Sequence, residues 1–208
     1  VVAQRPADAR IDGLHAPRPD EKSKRPSGAI WSETALVCPP MTETIRILGI
    51  DPGLRATGWG VIVRSGARIS HVAHGVIRID PALALAERLA GIFSAVSGLA
   101  IEHAPALAGV EETLVNAGPR SALKLGQARG AAMAALAREG VVVSEHAPRQ
   151  IKLAVVGTGG ADKDQVAFMV QRLLPRAGKV TADAADALAC AICAAHHLPA
   201  ASLRRGAA

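Results

Sequence analysis

Apolar and polar positions along the chain change period several times, and the changes mark the elements. Before residue 41 no apolar periodicity is visible, and Arg, Pro, Asp and Lys crowd the stretch APRPDEKSKR at 16–25. Such a composition buries too little apolar surface to offset the ordering of a chain, so residues 1–40 read as a disordered leader. The leader lacks the apolar middle of a secretory signal and is too acidic for a mitochondrial presequence. Met41 stands just before the first regular element, which fits a mis-assigned start upstream of it. From Ile45 the run IRILGI, ended by Asp51, predicts a buried strand. GWGVIVRSG and ARISHVAHGVIRI predict two more strands joined by a turn at Ser65-Gly66. Residues 81–99 have helical spacing, with Leu85, Leu89, Ile92, Phe93 and Val96 on one side.

ALAGVEET predicts a fourth strand, residues 120–138 a second helix closed by Gly140, and VVVSEHA a fifth strand. A short helix at 149–156, a glycine-rich loop GTGG at 157–160, and helices at 162–174 and 182–197 follow, with Thr181 placed to cap the last. Residues 199–208 read as a frayed basic tail. Three strands, a helix, a strand, a helix, a strand and closing helices describe one α/β domain over residues 41–198. No internal repeat interrupts it.

Composition narrows the function. The chain carries a formal net charge of +6, which suits a polyanionic partner such as nucleic acid. It has two Trp, two Phe and no Tyr, so little aromatic surface is available to stack on bases. No apolar run reaches the length of a membrane span, and three cysteines make no disulfide framework, so the cytoplasm is the expected compartment. Cys190 and Cys193 have CxxC spacing without a second pair to complete a zinc site. In an Ala-rich helical run they are expected to be small buried hydrophobes.

The acids carry more information, because several stand where acids cost energy. Asp51 ends the most apolar strand, Glu111 and Glu112 end LAGVEETLV, and Asp183 and Asp186 interrupt a helix of small apolar residues. Three positions apart, Asp183 and Asp186 share a helix face. Half-buried carboxylates that repel one another call for a cation, and hard oxygen ligands favour Mg²⁺ or Mn²⁺. Two such ions can activate water and stabilise a leaving oxygen in phosphodiester hydrolysis. Each acid also has a plainer reading: Asp183 suits a helix N-terminus and Asp51-Pro52-Gly53 suits a turn. Between Glu111 and Glu112 the pattern does not choose. DPGLRATG also matches the phosphate loop of two-domain kinases and filament proteins, but the folded part is too short for two domains and no second copy of the loop occurs.

Five blocks in order, ILGIDPGLRATGWGVI, GVEE, SALKLGQARGAA, PRQIKLAVVGTGGADKDQV and TADAADALA, resemble the RuvC family of Holliday-junction resolvases, of the ribonuclease H-like superfamily. The likeness runs from about Ile45 to His197. It implies a mixed five-stranded sheet flanked by helices, and four catalytic acids that bind metal: Asp51, Glu111, Asp183 and Asp186, with two Mg²⁺ ions per site and Mn²⁺ as a substitute. The motif selects Glu111, and strand alternation then puts Glu112 on the opposite face.

The resemblance further implies four-way junction DNA as substrate, a homodimer making symmetric nicks in recombination and repair, and a RuvA–RuvB branch-migration complex as partner. Lys124, Arg129, Arg149, Lys152 and Lys163 are candidate phosphate contacts, with Lys152 and Lys163 foremost because they match basic positions of the family's DNA-binding region. Leu114 stands where the family commonly has a Phe that stacks on bases at the opened junction. A solvated helix face is the alternative for the cations. For the whole chain it is a catalytically weak protein of the same fold that binds branched DNA.

Overall fold

Leu48 and Ile50 face one side of the first strand, Ile47 and Gly49 the other, and both sides are covered. A strand without a polar face belongs at the centre of a sheet with helices on both sides. In the computed structural model, which describes residues 44–112 and 118–198, this strand is the third of five in the order β3-β2-β1-β4-β5. The strands are β1 (Thr44–Asp51), β2 (Ala56–Ser65), β3 (Arg68–Arg78), β4 (Leu107–Glu111) and β5 (Val142–His146). β1, β2 and β3 form an antiparallel meander, whereas β1, β4 and β5 run parallel. The helices are α1 (Leu85–His103), α2 (Pro119–Arg138), α3 (Pro148–Val156), α4 (Lys163–Leu173) and α5 (Ala182–His197).

Two apolar cores result, one on each sheet face. Leu48, Ile50 and Val110 pack with Ile92 and Val96 of α1 and with Ala132 and Leu136 of α2. Ile47, Ile62 and Leu107 pack with Ile151 of α3, Val166 and Val170 of α4, and Leu188 and Ile192 of α5. The second core contains a close approach. A Cβ on Gly49 would lie 1.9 Å from the Ala187 carbonyl oxygen, one on Gly58 1.9 Å from that of Asp183, and one on Gly109 2.7 Å from that of Cys190. Glycines on β1, β2 and β4 thus make a bed on which an Ala-rich helix rests its backbone.

Gly49→Ala should therefore destabilise the protein by about 3 kcal/mol or more, the upper end of overpacking costs, because the obstructing atoms are backbone and cannot rotate away. Gly98→Ala, on an exposed part of α1 with nothing within 4 Å of the added carbon, should leave the melting temperature unchanged or raise it. Equal melting temperatures for the two variants would mean that the helix is not held this tightly.

The structure differs from the expected elements in four places. α1 begins at Leu85, because Asp80 holds a turn over residues 80–83 and Glu87 accepts from the Ala84 amide at 2.9 Å. Leu85 is consequently exposed at the helix start instead of joining the core side. The hairpin turn centres on Gly66-Ala67, where Gly66 has φ +59. A single 3-10 turn at Pro175–Ala177 separates α4 from α5. Thr181 occupies the cap position of α5 without a side-chain hydrogen bond to the helix. No helix among the described residues is long and apolar enough to cross a membrane.

Candidate active site

Asp51 and Glu111 are the last residues of two neighbouring parallel strands, one position beyond the Ile50–Val110 pair. Carboxyl ends of parallel strands are where α/β sheets open a crevice. The turn after Asp51 is fixed by a fully buried threonine: the Thr57 hydroxyl donates to the Gly53 carbonyl at 2.8 Å and lies 3.2 Å from the Gly53 amide. On the antiparallel side, Asp51 pairs with Gly58, the glycine that carries the Asp183 backbone. A glycine at that register is what lets the first turn of α5 come against Asp51. Asp186 follows one turn later, and its carboxylate accepts from Lys163 Nζ at 3.2 Å.

Lys163 opens α4, whose start is set by a reciprocal cap. Asp162 Oδ1 accepts from the Gln165 amide at 2.8 Å, and Gln165 Oε1 accepts from the Asp162 amide at 3.0 Å. α3 has half of such a cap, with Gln150 Oε1 accepting from the Ala147 amide at 3.1 Å, and ends at Gly157 with φ +83. These caps aim Lys152 and Lys163 toward one open cleft, which Asp51, Glu111, Asp186 and Arg149 also line.

Asp51 and Glu111 favour their protonated forms. Burial, then the charges of Glu111, Asp186 and Asp183, push the Asp51 carboxyl up to about 8, with Lys163 opposing. Burial and Asp186 likewise raise Glu111, while Lys163, Lys152 and a hydrogen bond from Asp51 pull the other way. The Lys163 ammonium is held above its usual range chiefly by Asp186. An ammonium drawn to the carboxylates of Asp186, Asp51 and Glu111 marks a place for positive charge, and an all-oxygen donor set with this much negative charge suits a hard divalent cation.

Of the residues expected at the site, Asp51, Glu111, Asp186, Arg149, Lys152 and Lys163 line the cleft, and Asp183 stands beside it. Lys124 is exposed on α2, next to the cleft residue Leu125. Arg129 is not brought there: it forms an ion pair with Glu145 of β5 and is largely buried. Leu114 lies outside the described residues. Glu112 corrects the alternation argument. β4 ends at Glu111, so Glu112 is no longer on a strand, and it lines the same cleft. Its amide donates to the His146 carbonyl at 2.9 Å. The Thr57 clamp and the glycine bed were missed in the sequence, although the spacing Gly58-x-Gly60 beside an Ala-rich helix carried a signal for the latter.

The family model for crossover junction endodeoxyribonuclease RuvC matches residues 47–194. The chain belongs to the RuvC family. A RuvC from Hyphomonas neptunium is 74% identical over 168 residues, covering 81% of this chain and 100% of the relative. One from Rhodospirillum rubrum is 58% identical and covers 74% and 90%. Among solved structures, Thermus thermophilus RuvC in complex with Holliday junction substrate superposes with a TM-score of 0.68 at 33% identity, covering 73% of this chain and 93% of that one. A yeast mitochondrial Holliday junction resolvase shares the fold at 13% identity and a TM-score of 0.53, covering 74% and 81%. The fold is that of RuvC and its ribonuclease H-like relatives, a mixed five-stranded sheet between helices. The four acids occupy the strand ends and the closing helix of this RuvC fold.

Proposed function

We propose that this chain is a crossover junction endodeoxyribonuclease that resolves four-way DNA junctions by metal-dependent hydrolysis. The observation that carries the reading is the gathering of Asp51, Glu111, Asp183 and Asp186 from three elements beside one cationic cleft. The RuvC relatives bear that activity in their names. In this reading the four acids would hold two Mg²⁺ ions, with Mn²⁺ as a substitute, and metal bound there would supply an activated water and charge to offset the leaving 3′-oxygen. The remaining steps belong to the protein. Lys152 and Arg149 hold the phosphodiester by its non-bridging oxygens, and the rigid strand ends keep the carboxylates in place without reorganisation. Lys163 balances Asp186 in the resting site and is near enough to turn to phosphate. The products carry 5′-phosphate and 3′-hydroxyl ends.

The proposal extends to a homodimer, whose two sites would nick opposite strands symmetrically, and to work alongside a RuvA–RuvB complex in recombination and repair. The proposed compartment is the cytoplasm. The test is nicking of a synthetic four-way junction with Mg²⁺ or with EDTA, with a linear duplex and a flap as controls. Paired nicks that need metal and the four-way substrate support the reading. Tight junction binding without nicks at any metal concentration would make the chain a binding protein instead.

Phosphate contact predicts a salt effect. Lys152 has no ion-pair partner among the described residues. Lys152→Ala should weaken junction binding for all sequences alike and lower the slope of log affinity against log salt by roughly one unit. An unchanged slope would return Lys152 to a solvated helix face.

A further inference from the structure

The last turn of α5 meets the end of β5 at a second group of metal-binding side chains. Cys193 and His197 are four apart on α5 and share a face; Cys193 Sγ lies 3.6 Å from His197 Nδ1. His146, the last residue of β5, stands over them, with its ring centroid 5.5 Å from that of His197. The sulfur and one ring nitrogen from each histidine all lie within 4.8 Å of one another. We propose that Cys193, His146 and His197 form a second metal site that takes zinc or a similar borderline transition-metal cation.

The donor set separates this site from the carboxylate cleft. One thiolate and two imidazoles suit Zn²⁺, whereas oxygen ligands suit Mg²⁺. A tetrahedral zinc with sulfur at about 2.3 Å and nitrogen at about 2.0–2.1 Å holds the two about 3.5 Å apart, close to the Cys193–His197 spacing. His197 is exposed, so its ring can settle onto an ion. Its Nδ1 also lies 2.9 Å from the Cys193 carbonyl oxygen. The ring keeps a lone pair in either tautomer, Nε2 when Nδ1–H donates there and Nδ1 when it does not. His146 is buried, and its Nε2 lies 2.9 Å from Ser144 Oγ, the kind of outer hydrogen bond that orients a metal-bound histidine.

Uptake of the cation breaks the Cys193 S–H bond, forms an S–metal bond and releases one proton to water. Cys190 is the contrast: it is as buried as Cys193, but its carbonyl oxygen covers Gly109 and it is not part of the His146–Cys193–His197 group. Only the second cysteine of the CxxC pair meets histidines. Asp186 and Cys193 are seven residues apart on α5, about 10 Å along its axis. An ion here would tie the end of that helix to edge strand β5, beside the strand that carries Glu111.

Co²⁺ tests the site in the full-length protein, with excess Mg²⁺ present to fill the carboxylates. A bound cobalt should show thiolate-to-metal charge-transfer absorption, which a carboxylate site cannot produce, at one ion per chain, and Zn²⁺ should displace it. His197→Ala, an exposed change, and Cys193→Ser should each weaken Co²⁺ binding at least tenfold. Asp186→Asn and Cys38→Ser should retain the band. Saturating Zn²⁺ should raise the melting temperature of the wild-type chain by roughly 5 °C or more, and that of His197→Ala by much less. Absence of a thiolate band at millimolar Co²⁺, or a band undiminished in His197→Ala, would overturn the proposal.

Discussion

Asp51→Asn, Glu111→Gln, Asp183→Asn and Asp186→Asn each abolish nicking of a four-way junction while binding survives. In the proposed reading the four acids hold the cations and the cationic side chains hold phosphate, so the two functions separate by residue. Losing one ligand to a catalytic ion removes several kcal/mol of transition-state stabilisation, a rate loss on the order of 10²–10⁴ at 1.36 kcal/mol per tenfold. Binding should hold or tighten, because each change removes negative charge from a cleft that receives DNA. Asp183 exerts the weakest of the three acidic charges on Asp51, so its variant should be the least impaired. Glu112→Gln is the control: it lines the cleft, but the charges on Asp51 come from the other acids, and its rate should stay within about tenfold of wild type. Single-turnover nicking, with gel-shift binding in EDTA, reads both quantities. A variant that nicks at near wild-type rate removes that acid from the site.

Without metal, the protein should lose stability as pH rises from about 4 to about 8, and Asp51→Asn should remove most of that loss. The sign follows from proton counting. The Asp51 carboxyl keeps its proton up to about 8 in the fold but only to about 3.8 in a free chain. Between those values the folded state binds more protons than the unfolded one. Stability is then fully present below the lower value and declines as pH climbs through the upper one. Glu111 shifts in the same direction. Each pH unit inside the window costs up to about 1.36 kcal/mol per group, and for Asp51 the sum is on the order of a few kcal/mol.

The inactive Asp51→Asn variant should therefore melt above wild type at pH 8 in EDTA, by roughly 5–10 °C at about 2–4 °C per kcal/mol. The difference should shrink as pH falls and vanish below about 3.8. Mg²⁺ should stabilise wild type at pH 8 and do little for the variant. Comparing the two proteins reads Asp51 together with Glu111, to which it is hydrogen-bonded. A wild type that equals or exceeds the variant at pH 8 in EDTA would mean that Asp51 is not under this strain.

Some of this was legible along the chain. Residues 47–50, just before Asp51, include no polar position, so a strand segment covered on both faces followed from the pattern. The acids drew notice because they stand among Ala, Leu and Ile, where a carboxylate is costly unless something compensates it. The five sequence blocks named the family. Periodicity tells which face of an element is covered, but not what covers it, and the remaining findings depend on that second fact. Alternation holds only while a strand continues, so Glu112 entered the cleft once β4 ended at Glu111. Arg129 stood in a family-like block, yet Glu145, sixteen positions later, lies opposite and takes its charge.

Cys190 and Cys193 looked alike as small residues in an apolar helix, and the helix does bury both. Which of them meets a histidine depends on where β5 ends relative to α5, and no spacing along the chain records that distance. The same holds for the acids. The sequence by itself determined that Asp51, Glu111, Asp183 and Asp186 exist at element ends and on one helix face. Only the tertiary structure, by laying α5 on Gly49, Gly58 and Gly109, decided that three of them line one cleft with Asp183 beside it. Their burial and mutual repulsion arise there, because both depend on the distance between groups and on the water excluded around them.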